Sequence, residues 1–218
     1  IAGYDPADPY TELGREKLER DYTTFLDENA LDGKTIGVLR ALVNTDDSDP
    51  QITAVFEQAL IELEKAGAEI VDPFVIENLD DHMNASNFCV RFRYDMHEYL
   101  KSLGDNAPLQ DVLEVLETKQ YSPYIEDRLT FFGGGPVDVH PKDMDTPCPD
   151  YPEHPGRQAY LADVISAMDN AGVDAIVYPG WTNPPAHIDN AIEDYKGETS
   201  QLIAPATGLP AVTVPMGY

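Results

Sequence analysis

The chain has 218 residues, 42% of them hydrophobic, and carries 14 Lys and Arg against 40 Asp and Glu, a formal net charge of −26. The apolar share is enough for a core and argues against wholesale disorder. The acid excess repels a phosphate backbone and argues against nucleic-acid binding, and no apolar run reaches the roughly 20 residues of a membrane-spanning helix.

The chain opens on Ile1-Ala2-Gly3-Tyr4, which is neither an initiator methionine nor a signal peptide, and stops at Met216-Gly217-Tyr218 directly after a strand-like run. Both ends read as cuts, so the localisation stays open, with the cytoplasm as the default.

The first clear unit lies between Lys34 and Phe74. Thr35-Ile36-Gly37-Val38-Leu39 is an apolar run suited to a strand buried on both faces. Asp49 then offers an N-cap, with Pro50 at the first helical position. Ile52, Val55, Phe56, Ala59, Leu60 and Leu63 repeat as one helical stripe, which Gly67 ends. Glu69 to Asp72, before Pro73, reads as a second strand. Strand, helix and strand in this order predict a parallel crossover.

From about Leu79 to Phe132 the pattern is helical, with weight from Tyr94, Met96, Tyr99 and Leu100, and Pro108 and Pro123 are each expected to open a further helix. Residues 132–156 are different. Gly133-Gly134-Gly135-Pro136 is followed by Pro141, Pro147, Pro149, Pro152 and Pro155, a flexible Gly/Pro-rich loop that is either a functional lid or an insertion. The chain closes with a helix carrying Leu161, Val164, Ile165 and Met168 and ended by Gly172. After it come a buried strand, Asp174 to Tyr178, and a short proline-bounded strand, Pro210 to Pro215. The fold class is α/β, a mostly parallel or mixed central sheet flanked by helices, in one unit over residues 1–218.

Few side chains suggest chemistry on their own. Cys89 and Cys148 are far apart in sequence and make no disulfide framework, and the five histidines form no metal-ligand spacing. No metal and no cofactor is expected.

Several segments, in order, resemble the amidase signature family. They are Ile1 to Thr11; Leu31-Asp32-Gly33-Lys34-Thr35-Ile36-Gly37-Val38; Ala59 to Pro73; Arg93 to Leu100; Asp174 to Pro179; and Thr207-Gly208-Leu209-Pro210-Ala211-Val212-Thr213-Val214-Pro215. The resemblance implies hydrolysis or transfer of a carboxamide nitrogen by a serine nucleophile, a second serine in a cis peptide and a lysine. A desolvated lysine draws the proton from the serine through the bridging hydroxyl, and backbone N–H groups of a Gly-Ser-rich loop hold the oxyanion. None of this machinery is legible here. The six serines are isolated, Gly133-Gly134-Gly135 runs into proline, and Lys34, Lys101 and Lys196 have the character of surface lysines. No catalytic residue is assigned. The chain reads as the C-terminal portion of an amidase, inactive alone, whose partners are a small-molecule amide and the missing N-terminal half of the same polypeptide, with homo-oligomerisation left open.

By the same resemblance the loops after the last strands border the substrate pocket, which makes Trp181, Thr182 and Glu198 the candidate substrate-binding residues. Trp181 supplies an aromatic wall, or packs a proline-rich turn. Glu198 falls ten residues before Gly208, where the family's tRNA-dependent amidotransferases carry an acidic contact to a substrate amine, or it is a helix-start carboxylate. Arg91 and Arg93 reach a substrate carboxylate or form structural ion pairs, and Asp95 with Glu98 forms a catalytic carboxylate pair or marks an exposed helix face. Two other readings compete: a non-catalytic α/β ligand-binding module, and, within the family, the amidase-type component of a tRNA-dependent amidotransferase.

Overall fold

The structure, a computed structural model, describes residues 3–17, 21–85 and 89–217. Ile1, Ala2, Ser86 and Tyr218, on which expectations above fall, lie outside the described residues.

The expected crossover is present. β1 (Thr35–Val38) pairs in parallel with β2 (Glu69–Val71), and α1 (Pro50–Lys65) connects them. The Asp49 carboxylate accepts the Gln51 N–H at 2.7 Å, capping a helix whose first position is Pro50. Helices α2 (Leu79–Asn84), α3 (Phe92–Ser102), α4 (Glu114–Thr118) and α5 (Glu126–Phe132) fill the middle of the chain. After a long irregular stretch, α6 (Pro155–Ala171) ends at Gly172 and leads into β3 (Ala175–Val177), which pairs in parallel with β1. The short helices α7 (Ala191–Asp194) and α8 (Ala204–Thr207) follow. Among the described residues the sheet is three-stranded, in the order β2-β1-β3.

The two-residue alternation of a strand divides the core. Val38, Ile70 and Val177 point toward α1 and pack with Val43, Phe56 and Leu60. Leu39, Val71 and Ile176 belong to the opposite cluster, with Tyr160 and Val164 of α6, Phe74, Leu79 and Ile203.

Several expectations are corrected. Pro108 opens no helix; the next one begins at Glu114. Pro123 starts a 3₁₀ turn that runs on into α5. Tyr99 is exposed, and only Leu100 of α3 is fully buried. On α6 the buried positions are Arg157, Tyr160 and Val164, while Ile165 is 40% exposed. Tyr160 wins that face because its ring fills the core while its hydroxyl donates to Leu202 O at 3.1 Å. The run Pro210 to Pro215 is not a strand: Val212 and Val214 stand in solvent, because no described strand lies alongside to take the hydrogen bonds.

The Gly/Pro-rich segment is not slack. Cys148, fully buried, forms a disulfide with Cys89, with 5.8 Å between the Cα atoms. Arg91 donates to Asp150 at 3.1 Å and to Pro149 O at 3.2 Å, Lys142 pairs with Asp150 at 2.8 Å, and Arg93 donates to Gly135 O at 3.1 Å. Gly133 and Gly135 are buried against Leu113 and Val90, so the glycine run is a packed crossing and not a flexible loop.

Candidate functional site

β3 delivers the chain to the site. In parallel α/β sheets, ligands bind beyond the carboxyl ends of the strands, and Tyr178-Pro179-Gly180-Trp181-Thr182 leaves β3 at that end. The chain makes an excursion over residues 183–196 and returns alongside. Trp181 and Glu198 form an antiparallel bridge, the Thr182 N–H donates to Gly197 O at 2.8 Å, and Asp49 N–H donates to Thr182 O at 2.8 Å. Glu198, sixteen residues further along the chain, therefore stands beside the consecutive Trp181 and Thr182, tied to the N-cap of α1.

Each plays a different part there. Trp181 is 37% exposed; its indole Nε1 donates to Lys196 O at 2.9 Å, and the ring of Tyr195 meets it edge-on at 5.6 Å. Thr182 is buried, with Asn183 Nδ2 3.3 Å from its hydroxyl and the same amide donating to Asp47 O at 2.9 Å. Gly197, at φ +76°, admits this crossing: a Cβ there would lie 2.5 Å from both Thr182 Oγ1 and Asn183 Nδ2. The half-buried Glu198 carboxylate accepts from the Ser200 hydroxyl and from Gln201 N–H at 3.3 Å, so it heads the turn leading to α8. Burial, and then the charge of Glu198, push the Tyr178 phenol above its ordinary range. The buried Thr199 hydroxyl donates to Pro179 O, which fixes the return strand against the outgoing one.

The Thr207-Gly208-Leu209 segment lies behind this corner, against α6. Gly208 is at φ +80°, and a Cβ there would lie 2.2 Å from Arg157 Nη2. The Arg157 guanidinium, 9% exposed, is stacked 3.2 Å from the centre of the Tyr151 ring and donates to Tyr151 O at 3.1 Å.

The other charged candidates form structural pairs. Arg91 holds Asp95 and Asp150; Arg93 holds Asp111 through both Nε and Nη2, which keeps the Asp111 carboxyl below the usual carboxylate range. Asp95 and Glu98 sit on the exposed face of α3, paired with Arg91 and Lys101. At the carboxyl ends of β1 and β2, Arg40 bridges Asp72 and Glu57. Among the described residues no His, Cys, Asp and Glu group is arranged to hold a metal, and no helix is long and apolar enough to cross a membrane. Tyr195, packed edge-on against Trp181, is a candidate that sequence reasoning misses; its only signal there is an aromatic residue near the return of a loop that begins with tryptophan.

A family model described as Amidase matches residues 1–218. Among curated relatives, the glutamyl-tRNA(Gln) amidotransferase, A subunit, of Chlorobium phaeobacteroides (strain BS1) is 26% identical over 234 residues, spanning 100% of this chain and 46% of its own length. A putative amidase of Arthroderma benhamiae is 42% identical over 72 residues, 33% of this chain and 12% of that protein. Among solved structures, the peptide amidase PAM in complex with the competitive inhibitor chymostatin aligns at a TM-score of 0.68 and 24% identity, covering 100% of this chain and 44% of its own. An amidase family protein from Bacillus anthracis str. Ames aligns at 0.61 and 20% identity, covering 99% and 38%. These structural likenesses show the fold. The chain spans less than half the length of the curated relatives it matches from end to end.

Proposed function

The chain belongs to the amidase family, and from that premise we propose that it is the C-terminal half of a serine amidohydrolase that converts a carboxamide to the acid and ammonia or an amine. In this reading a serine from outside these residues attacks the amide carbonyl. A lysine, acting through the second serine, takes the hydroxyl proton and returns it to the departing nitrogen. Water then cleaves the acyl-enzyme. This chain contributes the parallel sheet, its helices and one wall of the pocket: Trp181 and Glu198 face the substrate, while Thr182 fixes the separation of the two backbones that carry them.

The observation that carries the reading is the Trp181–Glu198 bridge, which gathers all three candidate residues beyond the carboxyl end of β3. A second reading, the amidase-type component of a tRNA-dependent amidotransferase, has its own support in matches to such proteins over the whole of this chain. The net charge of −26 is unfavourable for a surface that meets tRNA.

Ammonia release from simple amides tests the proposal. The expected result is no turnover by the 218-residue chain alone, and turnover once the preceding part of the polypeptide is supplied, abolished by a serine-directed inhibitor. Turnover that appears only with partner proteins and a charged tRNA favours the amidotransferase. Serine-dependent hydrolysis by the isolated chain overturns the assignment of the catalytic groups to another segment.

A further inference from the structure

The polar side-chain atoms of the site already have partners within the chain or are buried. The indole N–H of Trp181 is bound to Lys196 O, the Thr182 hydroxyl is buried, and the Glu198 carboxylate is held by Ser200 and Gln201. Beside them stand two exposed aromatic side chains. Trp181 and Tyr195 meet at 88°, with 37% and 55% of their surfaces exposed, and so form a two-walled corner. Perpendicular rings of this kind offer one face and one edge to an incoming apolar group, and a third ring entering the corner finds both favourable aromatic geometries.

Tyr195 does not stand on a loose loop. The excursion over residues 183–196 is closed at its base by the Thr182–Gly197 hydrogen bond and the Trp181–Glu198 bridge. Inside it, Asp194 accepts from Asn190 Nδ2 at 2.7 Å and lies 2.6 Å from His187 Nδ1. A loop with joined ends and internal ties presents its side chains at low entropic cost.

We propose that Tyr195 is a specificity-determining residue, which together with Trp181 selects amides bearing an aromatic or large aliphatic substituent over small aliphatic amides. That the ligand is an amide rests on the function proposed above; the apolar selectivity rests on the corner itself.

Trp181 is the chain's one tryptophan, so its emission reports on this corner alone. The probes are phenylacetamide and acetamide, titrated into the full 218-residue chain. Phenylacetamide is expected to change the emission saturably, and acetamide over the same range is not. Tyr195→Ala is expected to weaken phenylacetamide binding about fivefold, the scale of one lost aromatic contact, whereas Tyr195→Phe restores it because the ring and not the hydroxyl makes the contact. Equal responses to both probes, no response to phenylacetamide, or an unchanged affinity in Tyr195→Ala overturns the proposal. The two readings fail separately. Phenylacetamide binding without any amide hydrolysis by the complete protein removes the amidase reading and leaves the corner. Hydrolysis with no preference between the probes does the reverse.

Discussion

At the scale of single residues, the site depends on a glycine more than on any of its candidate contact residues. Gly197 sits at φ +76°, where L side chains are strained, and a Cβ would meet Thr182 Oγ1 and Asn183 Nδ2 at 2.5 Å. Both atoms belong to buried side chains that cannot swing into solvent. Gly197→Ala is therefore expected to lower stability by about 2 kcal/mol or more, and to change Trp181 emission, because the Trp181–Glu198 bridge must shift. Gly180→Ala is the control: its nearest neighbour would be Ser200 Cβ at 4.0 Å, and a loss beyond about 0.5 kcal/mol is not expected. Equal midpoints for the two variants in urea unfolding would contradict this account of the crossing. Trp181 and Glu198 come forward as candidates through the family resemblance of the segments around them, and the structure sets the two side by side. Tyr195 does not come forward in this way, since nothing in a local pattern says that a loop returns to lay its aromatic residue against the one where it began.

Elements are legible where a period runs long enough. The unit from Thr35 to Val71 has two apolar runs, a capped helix with a full stripe and a glycine stop, and all of it is present. Helix α6 lies where its periodicity and glycine stop place it, but it is rotated relative to the expected stripe. Leu161 and Ile165 make one stripe and Tyr160, Val164 and Met168 another, and composition does not say which faces the sheet. The proline-bounded run at residues 210–215 shows the limit of strand propensity: apolar alternation specifies a strand only where a neighbour takes its backbone hydrogen bonds. The segment from Phe132 to Gly156 has no period at all. Its order comes from long-range ties, above all Cys89–Cys148, which are 59 residues apart. Closing a loop of that length stabilises by about 4 kcal/mol if unfolded-chain entropy is the main contribution. Reductant, or Cys89→Ala, is therefore expected to lower the urea midpoint and to expose the segment to proteolysis near Pro147 and Pro149. A midpoint insensitive to reductant would show that the ion pairs of Arg91 and Lys142 hold the segment alone.

The described residues form a three-stranded sheet with helices on two faces and a candidate site beyond the carboxyl end of β3. The Trp181–Tyr195 aromatic corner and the glycine-dependent crossing are here, and in the proposed function the nucleophile and base come from outside these residues. Family membership rests on a match over all 218 residues, and the relatives matched end to end are more than twice as long. The central claim is that the nucleophile is encoded next to this chain. The coding sequence immediately upstream of Ile1 tests it most directly. The account predicts an open frame encoding a lysine and then a Gly-Ser-rich stretch with two serines. A start codon beside Ile1, or an upstream frame without those serines, would contradict it and leave the fold as a scaffold for binding alone.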